Sequence, residues 1–80
     1  MADFNNFNDQ VYTIEPVSLV DEKSTTEYFI GVSINGRNTG ASTWRIKKVS
    51  KVGNVWKFQF PNGEQSYTFI WNNRNTYSYL

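Results

Sequence analysis

Thr43-Trp44-Arg45-Ile46-Lys47-Lys48-Val49, Trp56-Lys57-Phe58-Gln59-Phe60-Pro61-Asn62-Gly63 and Tyr67-Thr68-Phe69-Ile70-Trp71 read as three β-strands joined by two turns, and they hold all three tryptophans of the chain. Trp56, Phe58 and Phe60 stand two apart with Lys57 and Gln59 between them, the period of a strand with one buried face. Pro61-Asn62-Gly63 then presets one φ and follows it with residues that tolerate positive φ, so the strand reverses there. Tyr67, Phe69 and Trp71 alternate in the same way on the return. On this reading Trp56, Phe58, Phe69 and Trp71 belong to the core, and Lys57 is merely solvated. In the strand before, Trp44 and Ile46 share one side and Arg45 and Lys47 the other, while Lys48-Val49 breaks the alternation and predicts a bulge or a strand end. Gly53-Asn54 is the tip of the turn that follows.

Working outward, Tyr28, Ile30, Val32 and Ile34 alternate with Phe29, Gly31 and Ser33, which predicts a strand over 27–34 with Gly31 on its outer side, close to another backbone. Residues 35–42, rich in Gly and Asn, form a long exposed loop. Val11-Tyr12-Thr13-Ile14 and Val17-Ser18-Leu19-Val20 are short strand candidates on either side of Glu15-Pro16. Asp21 to Thr26 is a polar loop, residues 70–76 are a helical turn or irregular corner, and Tyr77 to Leu80 is a short closing strand. The ten asparagines fall almost entirely at turns, arm or corner. No helical period is sustained anywhere. The expected fold is all-β: a small antiparallel barrel or sandwich of five to six short strands, with an N-terminal arm (1–10) on a single β-domain (11–80).

Eighty residues make one domain near the lower limit of independent folding, and the 18% of aromatic residues suits a core that must do much with little. There is no cysteine and no histidine. That removes disulfides, thiolate nucleophiles, the usual zinc ligands and the commonest general base. Glycosidase chemistry needs two carboxylates about 5–9.5 Å apart, and the acids here sit mostly in the arm and a loop that fix no spacing. No phosphate loop is present either, since Gly36 and Gly40 are not followed by Lys-Ser/Thr. The chain reads as a non-enzyme without cofactor or metal, and no apolar run approaches the ~18 residues of a membrane span.

The net charge of +1 conceals an asymmetry. Residues 1–27 hold six acids against Lys23, and residues 28–63 hold six bases (Arg37, Arg45, Lys47, Lys48, Lys51, Lys57) and no acid. The two regions suit mutual attraction, within one fold or between copies. Phe4 and Phe7, apolar groups on a polar acidic arm, are the docking candidates on one side, and Arg37, Arg45, Lys47 and Lys48 those on the other. The arm is expected to be loose in a free subunit and ordered in an assembly of many copies. Interleaved bases and aromatics also suggest a platform for single-stranded nucleic acid. Against that, strand alternation puts Trp56 and Phe58 on one face and Lys57 on the other, so nucleic acid is expected to bind weakly if at all.

Trp44-Arg45-Ile46-Lys47-Lys48, then Phe60-Pro61-Asn62-Gly63, then Phe69-Ile70-Trp71-Asn72-Asn73-Arg74-Asn75-Thr76-Tyr77-Ser78-Tyr79 resembles a pattern in small proteins of tailed bacteriophages: W-x-I-K/R-K/R, a turn ending in Gly, and a closing W-x-[DN]-R-x-x-x-x-Y. The resemblance spans roughly residues 27–80. Asn62 stands where the pattern leads one to expect an acid. What the resemblance implies is a virion structural component made in the host cytoplasm, a capsid decoration, head-fibre or tail accessory subunit that contacts other virion proteins and copies of itself. A small β-barrel that binds single-stranded nucleic acid is the alternative.

Overall fold

The computed structural model describes residues 17–80. They form four antiparallel strands, β1 (Val17–Ser24), β2 (Glu27–Ser33), β3 (Trp44–Val52) and β4 (Val55–Gln59), in one sheet of order β1-β2-β3-β4. A turn of 3₁₀ helix follows at Trp71–Asn73. The arm with Phe4 and Phe7 and the strand expected at 11–14 lie outside the described residues.

The all-β expectation holds, but the barrel or sandwich of five to six strands does not form among the described residues. The sheet is open, with β1 and β4 as its two edges. The reason lies in how residues 60–80 are used. They cross one face of the sheet and bridge to its ladder at Trp44 with Phe69, while a second bridge, Pro61 with Tyr79, closes the segment on itself. The strands expected at 67–71 and 77–80 are therefore reduced to these bridges and to the paired backbone bonds between Phe60 and Leu80.

Turn chemistry explains the connections. Val52 and Val55 pair across a two-residue loop in which Gly53 has φ +62° and Asn54 does not have positive φ, the pattern of a II′ hairpin with Gly first. At Pro61-Asn62-Gly63 the expected reversal occurs, with Asn62 at φ 53° and Gly63 at φ 74°. The polar stretch after Val20 is not a loop until Thr25. Asp21 and Glu22 pair with Phe29 and Tyr28, and an irregularity between Glu22 and Ser24 precedes the turn. β3 shows no bulge at Lys48: its pairing with β2 and β4 runs on through Lys48 and Val49.

Directly opposed residues share a face of a sheet, so the register sorts the side chains. One face carries Leu19, Phe29, Gly31, Ser33, Trp44 and Ile46, and residues 60–80 lie across it. Phe29, Trp44, Ile46, Phe69 and Trp71 form the core, with Val17, Leu19, Tyr77 and Tyr79 packed around them. Gly31 and Ser33 supply depth for the two indoles, whose centroids are 5.7 Å apart. A Cβ at Gly31 would overlap the Trp71 ring, so the glycine accommodates a buried side chain and is not on the outer side. The polar handles are satisfied, as burial requires: Trp44 Nε1–H donates to the Asn38 carbonyl at 2.9 Å, and the Tyr79 hydroxyl donates to the Arg74 carbonyl at 2.7 Å. Arg74 fastens the corner, donating to Asp21 at 2.9 Å and to the Trp71 carbonyl at 3.1 Å.

The other face overturns half of the expected core. Trp56 is 44% and Phe58 60% exposed, while Phe69 and Trp71 are buried as expected. The aromatic alternation in β4 is real, but its apolar side is turned away from residues 60–80, and the same reversal holds for Tyr28, Ile30 and Val32 in β2.

Candidate docking face

In register across the open face, Glu22, Tyr28, Val49 and Phe58 make one row, Val20, Ile30 and Lys47 the next, and Lys51 pairs with Trp56 at the β3–β4 end. Tyr28 meets Trp56 edge-on at 6.0 Å. Val20, at 65%, is as exposed as the β4 aromatics, and with Glu22 and Tyr28 it lines a shallow hollow of about 210 Å³. Val49 is buried beneath this row while Val20, Trp56 and Phe58 stand exposed, and large apolar groups gathered on one exposed face are a mark of interaction surfaces.

The cations of this face lie over its rings. Lys47 Nζ is 5.3 Å from the Phe58 centroid and Lys51 Nζ 5.6 Å from that of Trp56, within the range of cation–π attraction. Arg45 stands 5.6 Å from the Tyr67 ring. The arrangement holds positive charge directly over apolar surface, which suits a ligand that is both apolar and negative.

The four basic residues expected to act together are divided by the fold. Arg45 and Lys47 share the open face. Lys48 projects to the packed face, where it pairs with Glu27 at 3.5 Å and lies 5.9 Å from the Tyr79 ring. Arg37 is exposed in the loop between β2 and β3. Lys51, Trp56, Phe58 and Tyr28 join the face although the sequence reading had given the aromatics to the core. The available signal was Gly31 and Ser33: two small residues on the alternate set of β2 mark the side on which large side chains must land.

Two acids of the first 27 residues are engaged within the fold, Asp21 with Arg74 and Glu27 with Lys48. Among the described residues no group of metal-ligating side chains gathers, and no helix is long and apolar enough to cross a membrane. Burial pushes the Tyr79 phenol above its ordinary range, with Tyr77 adding to the effect and Arg74 opposing it. Tyr79 packs against the core and donates its hydrogen bond there.

No family model matches the chain, and no curated protein or solved structure matches it.

Proposed function

We propose that this chain is a non-enzymatic structural component of a tailed-bacteriophage virion, a capsid decoration, head-fibre or tail accessory subunit that is made in the host cytoplasm and acts by protein–protein contact. The observation that carries the docking role is the face that the described residues leave uncovered, with Trp56, Phe58 and Val20 exposed beside Lys47 and Lys51. The resemblance at Trp44-Arg45-Ile46-Lys47-Lys48 and at Trp71 to Tyr79 supports the virion setting. In this structure those residues serve as core and corner: Trp44, Ile46 and Trp71 are buried, and Arg74 ties Trp71 to β1. Mass spectrometry of gradient-purified particles of the virus that encodes the chain tests the setting. Stoichiometric recovery of the chain supports it, and its confinement to the unassembled fraction refutes it.

A second reading, binding of single-stranded nucleic acid, gains one specific observation. Bases and aromatics are co-facial after all, because Lys47 and Lys51, and not Lys57, are the neighbours of Phe58 and Trp56. Stacking platforms need open ring faces, however, and each of these rings already has a lysine ammonium over it. Titration of a labelled oligonucleotide at low and moderate salt separates the two. Purely electrostatic binding that vanishes with salt favours protein docking, and salt-resistant binding with tryptophan quenching favours nucleic acid.

A further inference from the structure

We infer that the occupant of the open face is the N-terminal segment, residues 1–16, of a neighbouring copy of the chain. The inference rests on the docking role proposed above and names its partner. The first argument is charge. Arg45, Lys47 and Lys51 on this face outnumber its Glu22, so two such faces brought together repel each other, and a symmetric face-to-face pair is disfavoured. The occupant is acidic and apolar. Residues 1–16 hold Asp3, Asp9 and Glu15 with no base, and with them Phe4, Phe7, Val11, Tyr12 and Ile14. The body of the chain offers no equal, because Asp21 and Glu27 are in ion pairs, Glu22 belongs to the face itself and Glu64 is an isolated exposed charge after the Asn62-Gly63 turn.

The second argument is geometry. Residues 1–16 join the sheet at Val17, the start of edge strand β1, whereas Trp56 and Phe58 lie on β4 at the other edge. Sixteen extended residues span up to about 50 Å, enough to reach the face of an adjoining subunit. Phe4 and Phe7 would pack against the exposed edges of Trp56 and Phe58 while the carboxylates meet the Lys47 and Lys51 ammoniums that lie over those rings. One contact through two rings is weak on its own, and it becomes firm where many copies exchange arms.

The test is zero-length carbodiimide cross-linking of the full chain in an equal mixture of unlabelled and heavy-nitrogen-labelled protein, read by tandem mass spectrometry. Peptides joining Asp3, Asp9 or Glu15 to Lys47 or Lys51 are expected, with mixed-isotope and same-isotope pairs in equal amounts. Phe4→Ser/Phe7→Ser, checked for folding by circular dichroism, lowers their yield several-fold. Same-isotope pairs alone assign the segment to its own subunit's face and overturn the inference, as does the absence of arm-to-face links. Particle assembly separates the inference from the reading beneath it. Loss of Lys47→Glu/Lys51→Glu but not of Phe4→Ser/Phe7→Ser from purified particles refutes the arm and leaves docking standing. Retention of both variants overturns both, and salt-resistant oligonucleotide binding that quenches Trp56 gives the face to nucleic acid instead.

Discussion

Gly31→Ala probes the covered face with a single methyl group. Gly31 is not among the glycines of positive φ, so the backbone accepts alanine and the whole effect is steric. The new Cβ would overlap Trp71 Cε3 and Cζ3 and stand 3.1 Å from Trp44 Cε3. Trp71 has little room to yield, held by the 3.1 Å bond from Arg74 N–H to its carbonyl and by the Arg74 guanidinium 4.5 Å from its ring. Overpacking of this kind costs about 1–3 kcal/mol, and the gain from replacing glycine in a strand offsets roughly 0.5–1 kcal/mol of it. A net loss of about 1–2 kcal/mol is expected, which lowers Tm by roughly 4–16 °C in a domain of this size. Thermal and urea unfolding followed by circular dichroism measure it. In a Trp71→Phe background, which lacks Cε3 and Cζ3, the same substitution should be nearly neutral, a coupling of about 1–2 kcal/mol. A Gly31→Ala protein that melts at or above the parent, or an equal loss in both backgrounds, would refute the stacking of Trp71 on Gly31.

The open face predicts the opposite pattern: Trp56→Ala should cost less than about 1 kcal/mol in urea unfolding, well under the roughly 3–5 kcal/mol of a buried tryptophan, and a larger loss means that the face is covered. Arg74→Ala removes the bonds to Asp21 and to the Trp71 carbonyl and should cost about 1–3 kcal/mol, whereas Arg37→Ala in the exposed loop should be near neutral; equal melting temperatures would contradict the role given to the corner. Tyr79 has its phenol raised above 10.0 by burial, so its contribution is fully present below that pH and is lost as pH rises through the raised folded value. Tyr79→Phe should therefore flatten the alkaline fall of Tm, and an unchanged pH profile would remove Tyr79 as its source.

Alternation in β2, β3 and β4 was enough to place those strands and their turns, because period two and Gly53, Asn62 and Gly63 are local signals. Which face was inside was written only in Gly31 and Ser33, a signal easily outweighed by the apolar set opposite. Tyr28, Ile30 and Val32 on one side of β2 are as apolar as any core set, and Trp56 and Phe58 look more buried than Gly31 and Ser33 do. The decision lies in residues 60–80, whose Phe69, Trp71, Tyr77 and Tyr79 need a sheet face with room for rings, and only the side of small residues has it. Lys48 was misgrouped for the same reason: without the register, nothing says that it faces Phe29 while Lys47 faces Ile30. Among the described residues fewer strands form than expected, because aromatic alternation at 67–71 and 77–80 looks the same whether the segment pairs in a ladder or lies across one.

The stack of Trp71 on Gly31 also bears on how the chain folds. Each hairpin of the meander closes over neighbouring sequence, whereas Trp71 meets β2 only when the chain has turned through β3 and β4 and come back. Closure of the long loop adds its entropy cost to that contact alone. The covering segment is then the late step, its bonds largely absent from the folding transition state. Damage to the Gly31 contact should accordingly appear in the unfolding rate and leave the refolding rate almost untouched, so that the lifetime of the native chain is governed by its last-placed indole.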